Sequence, residues 1–218
     1  MDLMHDLIRI SSHDILLIKE TKMEEESFLQ TAQLFWKKGA GIAKSTRGAS
    51  GGISTLWKKE AFDPIQSYSH THWILSILHH KESGIQVSIL NIYVPALMSE
   101  KKDCWQSVQE ILSSQKPENI ILAGDLNITL NAKVKKGGSI VRDPLREIVE
   151  DVISSWDLED IKSTRGNFTW SNRRIGPGHI AARLDQFLIQ HSFTALGFRS
   201  NSKILLSACR TTNQSCWI

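Results

Sequence analysis

Two short apolar runs in this chain each end on a carboxylate, and no other feature restricts the possible folds so strongly. Ile15-Leu-Leu-Ile18 leads through Lys19 to Glu20, and Asn119-Ile-Ile-Leu-Ala-Gly124 leads to Asp125. Apolar runs this short, bounded by polar residues and Gly, have the length of buried strands rather than helices. A carboxylate just beyond such a strand is anchored by buried backbone yet faces a crevice, as metal or general-base chemistry requires. A third acid, Asp185, lies inside Ala181-Ala-Arg-Leu-Asp-Gln-Phe-Leu-Ile189 among core-like neighbours. Taken singly, each acid also fits an ordinary turn or helix cap.

The rest of the chain supplies strands and helices in alternation. Leu3, Leu7 and Ile10 recur at helical spacing and predict a short helix over 2–11; a second is predicted over 26–36. The stretch from Gly39 to Gly52 is rich in small residues and reads as loop and turn. Strands are predicted at 52–57, 72–79, 85–94, 119–124, 167–171 and 183–189. Trp105, Val108, Ile111 and Leu112 mark a helix over 99–114, which Pro117 and Asn119 end. Leu145, Ile148, Val149, Val152 and Ile153 form the clearest helical face, and Pro144 suits its first turn. Alternation with some consecutive strands predicts an α/β layered fold in one domain.

Composition excludes several classes. A chain of 218 residues with 41% hydrophobic and 22% charged residues can bury its own core and is not a disordered chain. Cys104, Cys209 and Cys216 form no CxxC pair and no Cys/His finger, so neither a disulfide framework nor a structural zinc is expected. Asp2 and Asp6 stand where a secretory signal would be basic, and no apolar run has the length of a membrane span. The expectation is therefore an intracellular protein with no membrane partner. A net charge of +3 permits a polyanionic partner. His70, His72, His79 and His80 have no carboxylate at ligand spacing, and a metal reading of them is rejected. Lys133, Lys135 and Lys136 beside Gly137-Gly138 read as a mobile charged loop.

Short motifs then occur in series: Lys19-Glu-Thr21, Asn91-Ile-Tyr-Val-Pro95, Gly124-Asp-Leu-Asn127 and Arg183-Leu-Asp185. That series resembles the endonuclease/exonuclease/phosphatase superfamily of magnesium-dependent phosphodiesterases. Gly51-Gly-Ile-Ser-Thr-Leu-Trp57 and Asn167-Phe-Thr-Trp-Ser-Asn-Arg-Arg174 narrow the resemblance to the endonuclease domain of plant-type non-LTR retrotransposons, relatives of abasic-site endonucleases. It implies a four-layer α/β sandwich of two mixed sheets flanked by helices. It also implies that Glu20 binds Mg²⁺ (or Mn²⁺), that Asp125 and Asn127 position and activate the attacking water, that Tyr93 holds the phosphate, and that Asp185 orients a catalytic histidine. The substrate would be DNA, met through its duplex phosphate backbone. Trp170, Asn172, Arg173 and Arg174 are the candidate contacts, since guanidinium forks match phosphate oxygens and an indole can wedge at a base step. For Trp170 burial is the favoured reading over DNA contact, because Phe168 and Trp170 share one face of a strand. A phosphorylated small molecule or lipid headgroup is the other substrate class open to this fold, and the 168–174 segment favours DNA. No protein partner is inferable, and a monomer, nuclear if functional, is expected.

Two parts of the family pattern have no counterpart here. One is a first strand carrying a metal-holding asparagine ahead of the 2–11 helix. The other is a Ser-Asp-His motif some twenty residues after Asp185; residues 199–218 contain neither Asp nor His. Read from the third base of the Arg210 codon, the codons of Arg210 to Ile218 permit Asp-His-Lys-Pro-Ile-Leu-Leu-Asp, so the second gap is compatible with a frameshift. The expectation is a single domain over 1–206, N-terminally truncated, with 207–218 a divergent tail compatible with a frameshift. Its first and last strands would be lacking and its activity weak or absent. A non-catalytic remnant that binds nucleic acid is the alternative.

Overall fold

A computed structural model describes residues 13–45, 51–130, 134–138, 143–164, 166–198, 202 and 216–217. The predicted 2–11 helix, Lys133, Cys209 and most of the 207–218 tail lie outside the described residues. The chain divides into two compact units, Met1–Tyr93 with Ser207–Ile218, and Val94–Leu206.

In the first unit, β1 (Ile15–Lys19) is the apolar run that precedes Glu20. It pairs antiparallel with β3 (Ile53–Lys58), and β3 pairs with β2 (Gly39–Lys44). Helix α1 (Glu25–Phe35) covers one face of this sheet. Leu16 and Ile18, two residues apart on that face, pack with Phe28, Ala32, Trp36, Ala43 and Leu56. Leu17 and Lys19, on the opposite face, are also buried, so β1 reads as a continuous rather than alternating run.

β2 corrects the loop reading of Gly39 onward. A Cβ at Gly41 would collide with the Leu56 side chain and the Thr55 carbonyl, so the glycine permits close pairing of β2 with β3. Small residues that look like loop composition are here the means of packing a strand. β4 (Phe62–Ser69), β5 (Trp73–His80) and β6 (Gln86–Tyr93) form an antiparallel meander. β4 has no counterpart among the predicted strands. It carries Pro64, a register shift between Pro64 and Gln66, and an exposed Ile65, features that keep a strand at a sheet edge.

In the second unit, α2 (Met98–Gln115) buries Lys101, Cys104, Trp105, Val108 and Leu112 along one face. It ends at Lys116, whose left-handed backbone lets its N–H return to the Leu112 carbonyl, directly before Pro117. β7 (Ile120–Asp125) follows and pairs antiparallel with β12 (Asp185–Gln190), which pairs in turn with β9 (Leu158–Asp160). Between them come α3 (Arg146–Ser155), with Val149 and Val152 buried, and a three-stranded ribbon. That ribbon is β8 (Lys135–Lys136), β11 (Ala181–Ala182) and β10 (Trp170–Ser171). Lys135 and Lys136 are thus strand residues paired with Ala182 and Ala181, not the mobile loop their composition suggested. The predicted 167–171 strand shortens to Trp170–Ser171 and the predicted 183–189 strand begins at Asp185. A short helix α4 (Ser192–Ala195) follows β12.

At the far end of the chain, β13 (Cys216–Trp217) pairs antiparallel with β1 at Ile18 and Leu17. A two-residue ladder stands on the edge of β1 where the sequence offers no apolar last strand. Among the described residues no helix is long and apolar enough to cross a membrane.

Candidate active-site residues

In the first unit, Glu20 leaves β1 in a left-handed conformation, φ +54°, and Lys22 repeats it at φ +52°. Two non-glycine residues in this region store strain that neighbouring structure must hold. Here the neighbour is Gly51-Gly52: the Lys22 N–H donates to the Gly51 carbonyl at 2.9 Å and the Thr21 N–H to the Gly52 carbonyl at 3.3 Å. Gly52 itself has φ +89°, and a Cβ there would strike the Thr21 hydroxyl.

Onto this turn the Tyr93 hydroxyl donates to Glu20 Oε1 at 2.9 Å. The Lys22 ammonium lies 3.9 Å from Oε2. Tyr93 is aimed by its strand. Asn91, two residues earlier on β6 and fully buried, donates from Nδ2 to the Ser54 carbonyl at 2.8 Å and to Thr55 Oγ1 at 3.3 Å. Ser54 is in turn the register partner of Ile18. Asn91 therefore ties the strand of Tyr93 to the strand beside Glu20. The sequence motif contained Asn91 without indicating this role.

In the second unit, Asp125 closes β7, and its Oδ1 accepts the Asn127 N–H at 2.8 Å. Asn127 is left-handed at φ +47° and donates from Nδ2 to the Val94 carbonyl at 3.3 Å. Asp185 is buried and occupies the register position opposite Asp125. Thr169 sets the start of β12, for its hydroxyl oxygen accepts the N–H groups of both Leu184 and Asp185, at 3.1 and 3.2 Å. The Arg183 guanidinium, also buried, pairs with Asp160. Neither Thr169 nor Asp160 stood out in the sequence, because each acts through a partner distant along the chain.

Trp170 is 46% exposed, which corrects the expectation of burial: β10 is two residues long and belongs to a thin ribbon. Asn172 closes the hairpin that follows. Its Oδ1 accepts the N–H groups of Arg174 and Ile180, and its Nδ2 donates to the Gly178 carbonyl. The Arg173 N–H donates to Ser171 Oγ, and Arg173 and Arg174 project from an exposed tip that includes Ile175. Lys136, Arg174 and His179 line an open depression of about 520 Å³ beside Gly137, Gly176 and Pro177.

Among the described residues no three His, Cys, Asp or Glu side chains gather as a metal cage. Glu20 offers one carboxylate, which suits a cation held mainly by water and substrate phosphate and does not suit a structural metal site. Cys104 is buried, and that burial pushes its thiol up to about 12.

The fold is α/β, and each unit carries a carboxylate at a strand end, Glu20 after β1 in the first and Asp125 closing β7 in the second. The chain belongs to the endonuclease/exonuclease/phosphatase family, whose model matches residues 1–205. Solved structures of similar fold include the endonuclease domain of TRAS1, a telomere-specific non-LTR retrotransposon. Its TM-score is 0.65 at 12% identity, over 89% of this chain and 81% of that one. The AP endonuclease LMAP of Leishmania major gives a TM-score of 0.69 at 14% identity, over 89% and 74%. The APE2 catalytic domain of Xenopus laevis gives 0.66 at 14%, over 88% and 79%. In sequence, the transposon TX1 uncharacterized 149 kDa protein of Xenopus laevis is 24% identical over 84% of this chain. The chain spans 14% of that relative's length.

Proposed function

We propose that this chain is a Mg²⁺-dependent DNA endonuclease domain, with Mn²⁺ as a substitute cation, whose hydrolytic activity is weak. The observation that carries the reading is the Asp125–Asn127 turn at the end of β7, where the Asp125 carboxylate accepts the Asn127 backbone N–H at 2.8 Å and the Asn127 side-chain amide donates to the Val94 carbonyl. Endonucleases among the solved structures of similar fold support it. The domain is taken to span 1–206, with 207–218 a divergent tail. It acts as a monomer, nuclear where functional.

Each residue then has a task. Asp125 takes the proton from a water whose oxygen forms the new bond to phosphorus as the bond to the leaving oxygen breaks. The Asn127 amide has a second N–H to donate to the phosphate and adds no negative charge. Tyr93 fixes Glu20 and presents its hydroxyl to the phosphate. Glu20 is the carboxylate that would hold the cation. Once bound, Mg²⁺ would supply charge neutralisation at the phosphate and stabilise the departing alkoxide. Asp185 is assigned to orienting a general acid or base. Arg173, Arg174 and the exposed Trp170 meet the DNA, with Asn172 shaping the hairpin that carries them.

Support for weak activity comes from residues 199–218, which contain no Asp and no His where the family resemblance implies an Asp-His pair. Loss of a general acid or base typically lowers rates by roughly 10²–10⁴-fold. That same observation favours a second reading, a domain that binds duplex DNA without cutting it.

Plasmid nicking with Mg²⁺, with EDTA, and by Asp125→Asn decides between them. Nicking that needs both Mg²⁺ and Asp125 supports the enzyme. Folded protein that retards duplex DNA but never nicks it supports the second reading and overturns the first.

A further inference from the structure

The buried face of α2 contains one residue that apolar periodicity would not place there. Lys101, Cys104, Trp105, Val108 and Leu112 follow one another at helical spacing, and all are buried. Leucine would suit position 101. Lys101 instead brings an ammonium group into a site where its side chain is 6% exposed. Burying an unpaired charge is costly, so its partners must account for it.

There are two. Lys101 Nζ donates to the Asn127 carbonyl at 2.9 Å and to Asp143 Oδ2 at 2.8 Å. Asp143 is itself fixed, because its Oδ1 accepts the Leu145 N–H at 2.9 Å just ahead of α3. The lysine therefore joins the entry of α3 to the Asp125-Leu-Asn127 turn. Asn127 is gripped at its N–H by Asp125, at its carbonyl by Lys101, and at its side chain by the Val94 carbonyl. Asparagine tolerates the left-handed region better than most non-glycine residues, and these three bonds fix it there. An ammonium bound to a carbonyl in a water-excluded place is a charge-assisted bond, stronger than the neutral bond a glutamine would make.

We propose that Lys101 is a positioning residue for Asn127: it fixes the direction of the Asn127 side chain by holding the same residue's carbonyl. The proposal rests on the assignment of Asn127 to the substrate phosphate. Its physical content, a carbonyl held by Lys101, is independent of whether the chain cuts DNA. The role also differs from simple helix anchoring, in which the Lys101–Asp143 pair alone would matter.

The test is nuclear magnetic resonance of the isotope-labelled full chain, reading the Asn127 carbonyl ¹³C and side-chain amide signals. In Lys101→Met both signals shift, the carbonyl upfield as its donor is lost. In Lys101→Arg, which keeps a cationic donor, the carbonyl signal stays closer to its original position than in Lys101→Met. In Asp143→Asn the Asn127 signals hold their positions even though the unfolding midpoint falls. If Lys101→Met does not fold, Asp143→Asn decides alone. Unmoved Asn127 signals support the proposal. Movement there shows the ion pair, not the carbonyl bond, to be the working element, and overturns it. A folded Lys101→Met with unchanged Asn127 signals also overturns it. A chain that never nicks DNA while Lys101→Met shifts these signals would sink the nuclease reading and leave the positioning role standing.

Discussion

The Tyr93 hydroxyl donates to the Glu20 carboxylate at 2.9 Å, joining residues 73 positions apart in the chain. A hydroxyl bonded to a carboxylate fixes its orientation, which a cation ligand needs. Tyr93→Phe removes the donor and leaves the ring. The expected loss of stability is about 1.5–3 kcal/mol if the bond is typical of those to charged groups. Urea unfolding measures it, and an unchanged midpoint would show that the bond contributes nothing in solution. Isothermal titration with Mg²⁺ should show weaker binding in this variant and none in Glu20→Gln.

Gly52 supports the same turn from below. Gly52→Ala demands a left-handed alanine and sets a methyl group against the Thr21 hydroxyl. The expected cost is of order 1–3 kcal/mol, as for overpacking elsewhere. The Glu20 turn should lose amide protection in hydrogen exchange before the β5–β6 pairing does. Uniform loss of protection across the unit would argue against a local role.

Asp125 and Asp185 share one register position across β7 and β12. Like charges directly opposite on antiparallel strands destabilise the pair, by roughly 0.2–1 kcal/mol. Asp185→Asn should accordingly raise the thermal midpoint of the protein at neutral pH while reducing any nicking. A lower midpoint would mean that the Asp185 carboxylate is held by its surroundings more strongly than it is repelled by Asp125.

His70 gives stability a pH dependence. Its ring stacks on Trp73 with centroids 5.5 Å apart, and burial holds its imidazole below the usual histidine value of 6.5. The unfolded chain therefore takes up the proton more readily than the folded one. His70 contributes stability that is complete above the unfolded value and is lost as pH falls through the lower folded value. Unfolding midpoints at about pH 7.5 and pH 5.5, on either side of the unperturbed histidine value, should differ less in His70→Gln than in the parent. Equal differences in both would remove His70 from the account.

Local signals carried much of the fold. Helices α1 and α2 fall within a residue or two of their predicted bounds, as do β1, β3, β5, β6 and β7, and α3 forms along the predicted helical face of Leu145 to Ile153. Each has an apolar pattern complete within its own residues. β2 and β4 were invisible for opposite reasons: one is built from glycine and alanine that a neighbouring strand needs, the other from polar residues and proline that an edge tolerates. Of the candidate site, the proposed groups stood out in the sequence and the hydrogen bonds that hold them did not. Glu20, Tyr93, Asp125, Asn127 and Asp185 sit in short motifs, whereas Lys101, Thr169 and Asn91 matter through hydrogen bonds to distant segments.

By itself, the sequence determined the longer helices, the apolar strands and which acids follow those strands, because periodicity and turn chemistry act over a few residues. Tertiary structure decided the rest. It exposed Trp170, drew Lys135 and Lys136 into a ribbon, buried Lys101 and brought Tyr93 to Glu20. Burial and hydrogen bonding between distant segments depend on what the rest of the chain packs against them, and no local pattern encodes that.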